Sequence, residues 1–270
     1  MTPSSPKIAL EVRGLSIAFV EIDGSLEVLD NLSFAVEANS FVCVIGPSGG
    51  GKSTLLRALS GLLIPSAGEI RFPHPSHTGP QTGLVFQKPN LMPWRTLFEN
   101  VSLPLELAGR SKEEIQQATQ EMIDLVGLHG FEKSYPHELS GGMAQRVAIA
   151  RSLVQDPEIL LLDEPFGQLD ALTRERMGEE LLRIWGEKRK TVLMVTHSIS
   201  EAIYLADRVL VMTRRPAQIS LDLPIPLPRP RSEEMRFQPE FGRLAQLVHE
   251  QLSQNNDVTA MPTKMQAGQK

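Results

Sequence analysis

The sequence lacks the features that mark secreted, membrane-spanning and nucleic-acid-binding proteins. Its single cysteine, Cys43, lies inside an apolar run, which favours a reducing compartment and a core position over a disulfide. No apolar run approaches the roughly 20 residues of a membrane helix, and Met1–Pro6 is too short and polar for a signal peptide. The net charge of −5 argues against a general polyanion binder, because such binding needs concentrated Lys and Arg. Any membrane role must therefore come through a partner.

One glycine-rich stretch, residues 46–54, has the form G-x-x-x-x-G-K-[ST]. It follows the β-branched run Phe41–Ile45, which predicts a buried parallel strand, and it precedes leucines at helical spacing. Glycines let backbone N–H groups approach phosphate oxygens, and the N-terminus of the next helix adds unpaired donors. A turn that binds nothing is the alternative, but the complete motif between strand and helix favours a nucleoside triphosphate site. The candidate nucleotide contacts are Gly46, Pro47, Ser48, Gly49, Gly50, Gly51, Lys52, Ser53 and Thr54.

Two side chains of this loop carry specific chemistry. Lys52 is the candidate for the β- and γ-phosphates, and the Ser53 hydroxyl is the candidate for Mg²⁺.

The rest of the chain predicts an α/β protein. Short β-rich segments between Ile8 and Val36 predict an antiparallel N-terminal subdomain. Later, buried apolar runs alternate with helical patterns, which predicts a parallel sheet. Helical composition over 88–139 predicts a helical subdomain inserted into a core domain that covers 7–230. The spacing of apolar residues in 231–254 predicts an amphipathic C-terminal helix, and the polar residues 255–270 predict a frayed tail.

Polar side chains follow three of the predicted strands, where ligand groups gather in parallel sheets. The first is Gln87, which follows the run Gly83–Phe86. Asp163 and Glu164 follow the run Ile159–Leu162; Asp163 is suited to Mg²⁺ and Glu164 to activating water as a general base. Stabilising the next helix is the alternative role of this pair, and the intervening Pro165–Gly167 weakens it. His197 ends another strand and is a candidate γ-phosphate contact, although a lone histidine there is more often an ordinary loop residue.

The stretch Leu139–Gln145 is a second glycine-bearing helix start, and it also suits an anion. A single-site kinase or GTPase has no use for it, because the phosphate loop is already complete. With it, the sequence resembles ATP-binding subunits of ABC transporters from about Leu10 to Thr213. The matching motifs are Walker A (Gly46–Ser53), the Q-loop Gln87, the signature (Leu139–Gln145), Walker B (Ile159–Glu164), the D-loop (Gly167–Asp170) and the switch His197.

The resemblance implies a P-loop NTPase (ABC ATPase) core that hydrolyses ATP to ADP and phosphate with Mg²⁺. It also implies a head-to-tail homodimer in which each ATP lies between the phosphate loop of one chain and the signature of the other. The signature residues that would contact ATP in this way are Ser140, Gly141, Gly142 and Gln145.

Three further residues take roles only through this resemblance. Phe19 stands where the family places an aromatic that stacks on adenine, with core burial as the alternative. Gln87 would sense the γ-phosphate, contribute to the metal and catalytic site, and couple it to the helical subdomain. Asp170 would bridge the two sites of the dimer, while Gln168 departs from the small residues common in that loop.

The run Asp163–Arg174 is similar to the ATPases of nitrate, sulfonate and taurine importers. Those importers combine an ATPase dimer with two membrane permease subunits and an extracytoplasmic solute-binding protein. The resemblance therefore implies a peripheral location at the cytoplasmic face of the inner membrane and no nucleic-acid partner. Met92, Trp94 and Leu97 would form part of the groove that receives the permease, with packing inside the helical subdomain as the alternative.

Other functions stay open at this point. An ABC ATPase of another importer class would show the same motifs. A cytosolic ABC ATPase, such as one acting in DNA repair or translation, usually carries two cassettes, coiled-coil arms or basic extensions, and none is visible. A single-site kinase or GTPase leaves Leu139–Gln145 unexplained, and the guanine-selective Asn-Lys-x-Asp motif is absent. The sequence does not name the solute.

Overall fold

Two sheets organise the protein, as seen in a computed structural model that describes residues 7–21, 24–73 and 81–257. In chain order the strands are β1 (Ile8–Glu21), β2 (Gly24–Glu37), β3 (Phe41–Ile45), β4 (Ala67–Arg71), β5 (Thr82–Val85), β6 (Ile159–Asp163), β7 (Thr191–Thr196), β8 (Arg208–Met212) and β9 (Ile219–Pro224). The helices are α1 (Lys52–Leu59), α2 (Leu97–Leu107), α3 (Lys112–Leu125), α4 (Gly141–Leu153), α5 (Ala171–Lys188), α6 (Ile199–Leu205) and α7 (Pro239–Asp257). The predicted α/β fold is confirmed.

The smaller sheet is antiparallel, with strand order β2-β1-β4. The sequence predicts short strands here, but the structure has two long ones. The pair Asp30-Asn31, which is typical of a turn, lies inside β2, where Asn31 takes a left-handed φ of 52° and the register with β1 shifts. The Asn31 N–H donates to Ser16 Oγ (2.9 Å), so a side chain replaces the missing ladder partner.

The larger sheet has the order β5-β6-β7-β3-β8-β9 and is parallel except for β9. Its central strand β3 is buried on both faces: Phe41, Cys43 and Ile45 pack towards the helical side, and Val42 and Val44 pack towards the antiparallel sheet. Strand β9 was not predicted from the sequence. It runs antiparallel to β8 at the edge, where Pro224 costs no central hydrogen bond.

Helices α2 and α3 precede α4 and pack against it. Both begin with a capping box, built on Thr96 in α2 and on Ser111 in α3. The subdomain therefore has helix boundaries that its own sequence specifies.

The C-terminal segment packs on α6. In α7 the side chains of Phe241, Leu244 and Val248 are buried. The helix continues to Asp257, beyond the start of the predicted tail, and the remainder of that tail, 258–270, lies outside the described residues. Within the described ranges, no helix combines the length and the apolar character needed to cross a membrane.

Candidate active site

The phosphate loop joins β3 to α1 and depends on glycine at two positions. Gly49 and Gly51 have left-handed φ values of 73° and 92°. A Cβ at Gly51 would lie 2.8 Å from Leu29 Cδ2 and 2.9 Å from Val28 Cγ1. The loop can take this path, and stay packed on β2, only with glycine there.

Lys52 opens α1 and points back into the loop. Its side chain is 5% exposed, and Nζ donates to Gly46 O and Pro47 O, both at 3.0 Å. Burial lowers the pKa of Lys52, and the nearby charges of Glu164 and Asp163 oppose that shift. Two carbonyl oxygens thus accept hydrogen bonds from the Lys52 ammonium, and phosphate oxygens could take their place as acceptors.

Ser53 and Asp163 form an oxygen pair at the base of the loop. Ser53 Oγ donates to Asp163 Oδ1 (2.9 Å). Burial raises the pKa of the Asp163 carboxyl, while the Ser53 hydrogen bond lowers it. No cluster of three or more His, Cys, Asp or Glu side chains able to hold a metal occurs in the part of the chain described. This pair fits Mg²⁺, which takes few protein oxygens and fills its octahedron with water and phosphate.

Glu164 lies between Lys52 and His197. Its Oε1 is 3.7 Å from Lys52 Nζ, and its Oε2 is 2.9 Å from His197 Nδ1. The residue has a left-handed φ of 43°, and its N–H donates to Val195 O (3.0 Å). Asp170, rather than Asp163 or Glu164, caps the following helix α5. The carboxylate of Glu164 is therefore available for chemistry at the loop.

Gln87 follows β5 and reaches the same group of residues. Its Nε2 lies 3.1 Å from the position that a Cβ on Gly167 would occupy, and the Gly167 N–H donates to Glu164 O (3.0 Å). The structure thus brings Gln87 next to the loop that carries Glu164.

The signature residues divide into two groups. Ser140 caps α4 by accepting from Met143 N (3.3 Å), and Ser140 and Gly141 are both exposed. Gly142 is buried, and Gln145 is only 2% exposed. The prediction that Gln145 contacts ATP of a second chain is not supported, because its side chain lies inside the protein.

Asp170 and Phe19 are both at the surface. Asp170 Oδ1 accepts from Thr173 N (3.0 Å) and so begins α5, and Gln168 beside it is exposed. Phe19 in β1 is 39% exposed, which places it outside the core that the alternative role required.

Of the three residues predicted to line a permease groove, Leu97 is fully buried, directly after the N-cap Thr96 of α2, whereas Trp94 is 72% exposed. Leu97 therefore takes the alternative position, inside the helical subdomain. Met92 lines a cleft of about 450 Å³ together with Phe86, Leu103 and Arg151.

The sequence analysis did not identify Thr196 and Glu201, two polar residues close to His197 in the chain. Thr196 is 1% exposed, and its Oγ1 donates to Glu201 Oε2 (2.6 Å). Neither residue belongs to a motif considered above, and only the position of Thr196 before His197 could have drawn attention to it.

Comparison with known proteins places this geometry in a family. The family described as "ABC transporter" matches residues 29–167. The nitrate import ATP-binding protein NrtD of Synechocystis sp. is 47% identical over 216 residues, which cover 79% of this chain and 81% of that protein. The aliphatic sulfonates import ATP-binding protein SsuB of Bacillus cereus is 46% identical over 214 residues, covering 78% and 84%.

Among solved structures, the dimeric post-hydrolysis state of an ATP-binding cassette bound to ADP and Pi superposes with a TM-score of 0.69. It is 30% identical, and the match covers 80% of this chain and 98% of that one. With the phosphate loop, the paired carboxylates and the signature helix in the family's order, the chain belongs to the ABC transporter family of ATP-binding proteins and is an ATPase.

Proposed function

We propose that the protein is the ATP-hydrolysing subunit of a membrane importer for a small oxyanion of the nitrate or sulfonate type. The observation that carries the catalytic part is the Glu164 carboxylate, which lies between Lys52 at the phosphate loop and His197 at the end of β7. The importer part rests on relatives whose names give nitrate and sulfonate import.

In this proposal the triphosphate lies in the loop of residues 46–54. Lys52 exchanges its carbonyl partners for β- and γ-phosphate oxygens. Ser53 and Asp163 would hold Mg²⁺, with Gln87 at the edge of that site. When bound, Mg²⁺ neutralises charge on the phosphates. Phe19, exposed on β1, is the candidate to stack on adenine.

Hydrolysis then needs one proton transfer. Glu164 takes the proton from a water whose oxygen forms a bond to the γ-phosphorus. The bond from that phosphorus to the bridging oxygen breaks, and ADP leaves with the electron pair. His197 holds the Glu164 carboxylate in place at 2.9 Å and is the candidate donor to the γ-phosphate.

The exposed signature supports a dimeric mechanism. Ser140 and Gly141 present a helix N-terminus at the surface, where unpaired N–H groups favour an anion. A second copy of this chain would supply that anion as the γ-phosphate of its own ATP, with Asp170 between the two sites. The solved cassette to which this chain is similar is a dimer.

The permease contact would use the cleft beside β5. Met92 and Leu103 line this cleft, and Trp94, two residues after Met92 in the chain, is exposed. Aromatic and methionine side chains are enriched at protein-binding surfaces. Two permease subunits would place the protein at the cytoplasmic face of the membrane, with a solute-binding protein on the opposite side.

The experiment that tests the catalytic assignment is Glu164→Gln. The amide keeps the shape of the side chain but cannot accept the proton, so we expect turnover to fall by at least about 100-fold. ATP should still bind, and size-exclusion chromatography with ATP should show a trapped dimer. Glu113→Gln, an exposed change of the same kind at the start of α3, should keep full turnover. Normal hydrolysis by Glu164→Gln would remove Glu164 as the base.

A further inference from the structure

A partly buried polar network joins two loops of the candidate active site. Its first link is the backbone of the D-loop, where Leu169 O accepts from Arg174 Nη2 (3.0 Å). Arg174 lies on the first turn of α5, and its Nε is 3.6 Å from Glu201 Oε1 on α6. One guanidinium therefore contacts both the D-loop and the neighbouring helix.

The second half of the network leads from Glu201 to the switch histidine. Glu201 Oε2 accepts from Thr196 Oγ1 (2.6 Å), and the same hydroxyl oxygen accepts from Ser198 N (3.0 Å). Thr196 and Ser198 are the two neighbours of His197 in the chain. Whatever moves the Glu201 carboxylate therefore acts on the backbone that carries His197.

The Glu201 carboxyl, at the centre of this network, is mostly buried and has two partners. The Glu201 side chain is only 13% exposed, and burial raises the pKa of its carboxyl, while the Thr196 hydrogen bond and the charge of Arg174 lower it. This ion pair, with Arg174 32% and Glu201 13% exposed, contributes little net stability, because partial removal of the two charges from water offsets much of their attraction. A well-packed apolar pair would hold α5 to α6 as firmly. The hydrogen bonds from Arg174 to Leu169 O and from Thr196 to Glu201, by contrast, are directional, and the 3.6 Å charge pair between Arg174 and Glu201 connects them.

We propose that Arg174 and Glu201 are positioning residues that couple the D-loop, Gly167–Asp170, to His197. Asp170 is exposed, so a second copy of this chain docked there displaces the Leu169 carbonyl. Movement of that carbonyl shifts Arg174, the shift of Arg174 moves the Glu201 carboxylate, and Glu201 in turn moves the segment Thr196–Ser198. Docking of a second chain thereby changes the position of His197, which contacts Glu164. This inference rests on the proposed function.

The test is a double-mutant cycle with Arg174→Gln and Glu201→Gln. Each single variant should lower kcat by about 10-fold with ATP affinity changed less than about twofold, because the two side chains lie on α5 and α6 and neither belongs to the phosphate loop. If the two residues act as one link, the double variant should be no slower than the worse single variant, since coupled residues are not additive. Arg176→Gln, an equivalent change on an exposed face of α5, should leave kcat unchanged.

Three outcomes would overturn the proposal. These are normal kcat in both single variants, independent losses that multiply in the double variant, and a lower melting temperature with normal kcat. If Glu201→Gln does not fold, Arg174→Lys decides: it keeps the charge but loses the fork that spans Leu169 and Glu201. A kcat equal to wild type in that soluble variant would then reject the coupling. A wild-type protein that does not hydrolyse ATP would instead reject the proposed function.

Discussion

At the residue scale, Glu164 is fixed by neighbours on every side. Its left-handed backbone, at a φ of 43°, costs about 1–3 kcal/mol for a residue other than glycine. Hydrogen bonds from its N–H to Val195 O and from Gly167 N to its own carbonyl hold that conformation. The side chain is then oriented by His197. If Glu164 is the base that we propose, a carboxylate held in this way needs little rearrangement when a water molecule attacks.

Cys43 offers a residue-scale prediction about the core. Its side chain is fully buried in β3, and burial raises the pKa of the thiol well above the ordinary value. Because the thiolate is the reactive form, we expect iodoacetamide to leave the native protein unmodified and to label one thiol after denaturation. ATP should slow labelling under mild denaturant, since β3 leads into the phosphate loop. Rapid labelling of the native protein, measured by mass spectrometry, would contradict this buried position.

At the element scale, the sequence predicts best where local chemistry decides the structure. The strand, glycine loop and helix around Lys52 could be predicted from the sequence, because each of the three favours its own residue types. Gln145 could not be placed in this way: it lies five residues after Ser140, about 140° further round the helix, so it faces the interior. Strand β9 was missed because its pairing with β8 is a tertiary contact and its residues alternate weakly.

The start of α4 carries an element-scale prediction. Ser140→Arg should abolish hydrolysis, because its charge and bulk would enter the ATP site of a second chain while the phosphate loop stays intact. Ser111→Arg is the control, since the Ser111 side chain caps α3 by accepting from the backbone N–H three residues on, as Ser140 does in α4. Both variants lose an N-cap and should lose about 0.5–2 kcal/mol of unfolding free energy. Only Ser140→Arg should lose turnover; if it hydrolyses ATP normally, the sandwich arrangement is wrong.

At the scale of the whole molecule, the C-terminal segment is fastened to the catalytic domain through arginines. Arg229 lies over the Trp185 ring (4.2 Å) and pairs with Asp207 (2.8 Å). The buried Arg231 donates to the carbonyl groups of Ile203, Tyr204 and Ala206 at the end of α6. Helix α6 is therefore held at its C-terminus by this segment and at its N-terminus by the network around Glu201. The C-terminal segment therefore helps to hold α6, the helix that carries Glu201, in its place beside the candidate active site.

The last prediction concerns the membrane partner. The described residues contain no helix able to cross a membrane, yet Trp94 and Leu107 on the helical side are 72% and 81% exposed. We expect tagged Glu164→Gln protein, purified with ATP from detergent-solubilised native membranes, to retain a polytopic permease that mass spectrometry identifies. Adding Trp94→Asp should release the permease, because a buried charge at the contact is costly, while the ATP-bound dimer persists. A dimer without any membrane protein would leave the ATPase chemistry intact and favour a cytosolic ABC machine, since the two functions share every catalytic residue and differ in the surface that Trp94 marks.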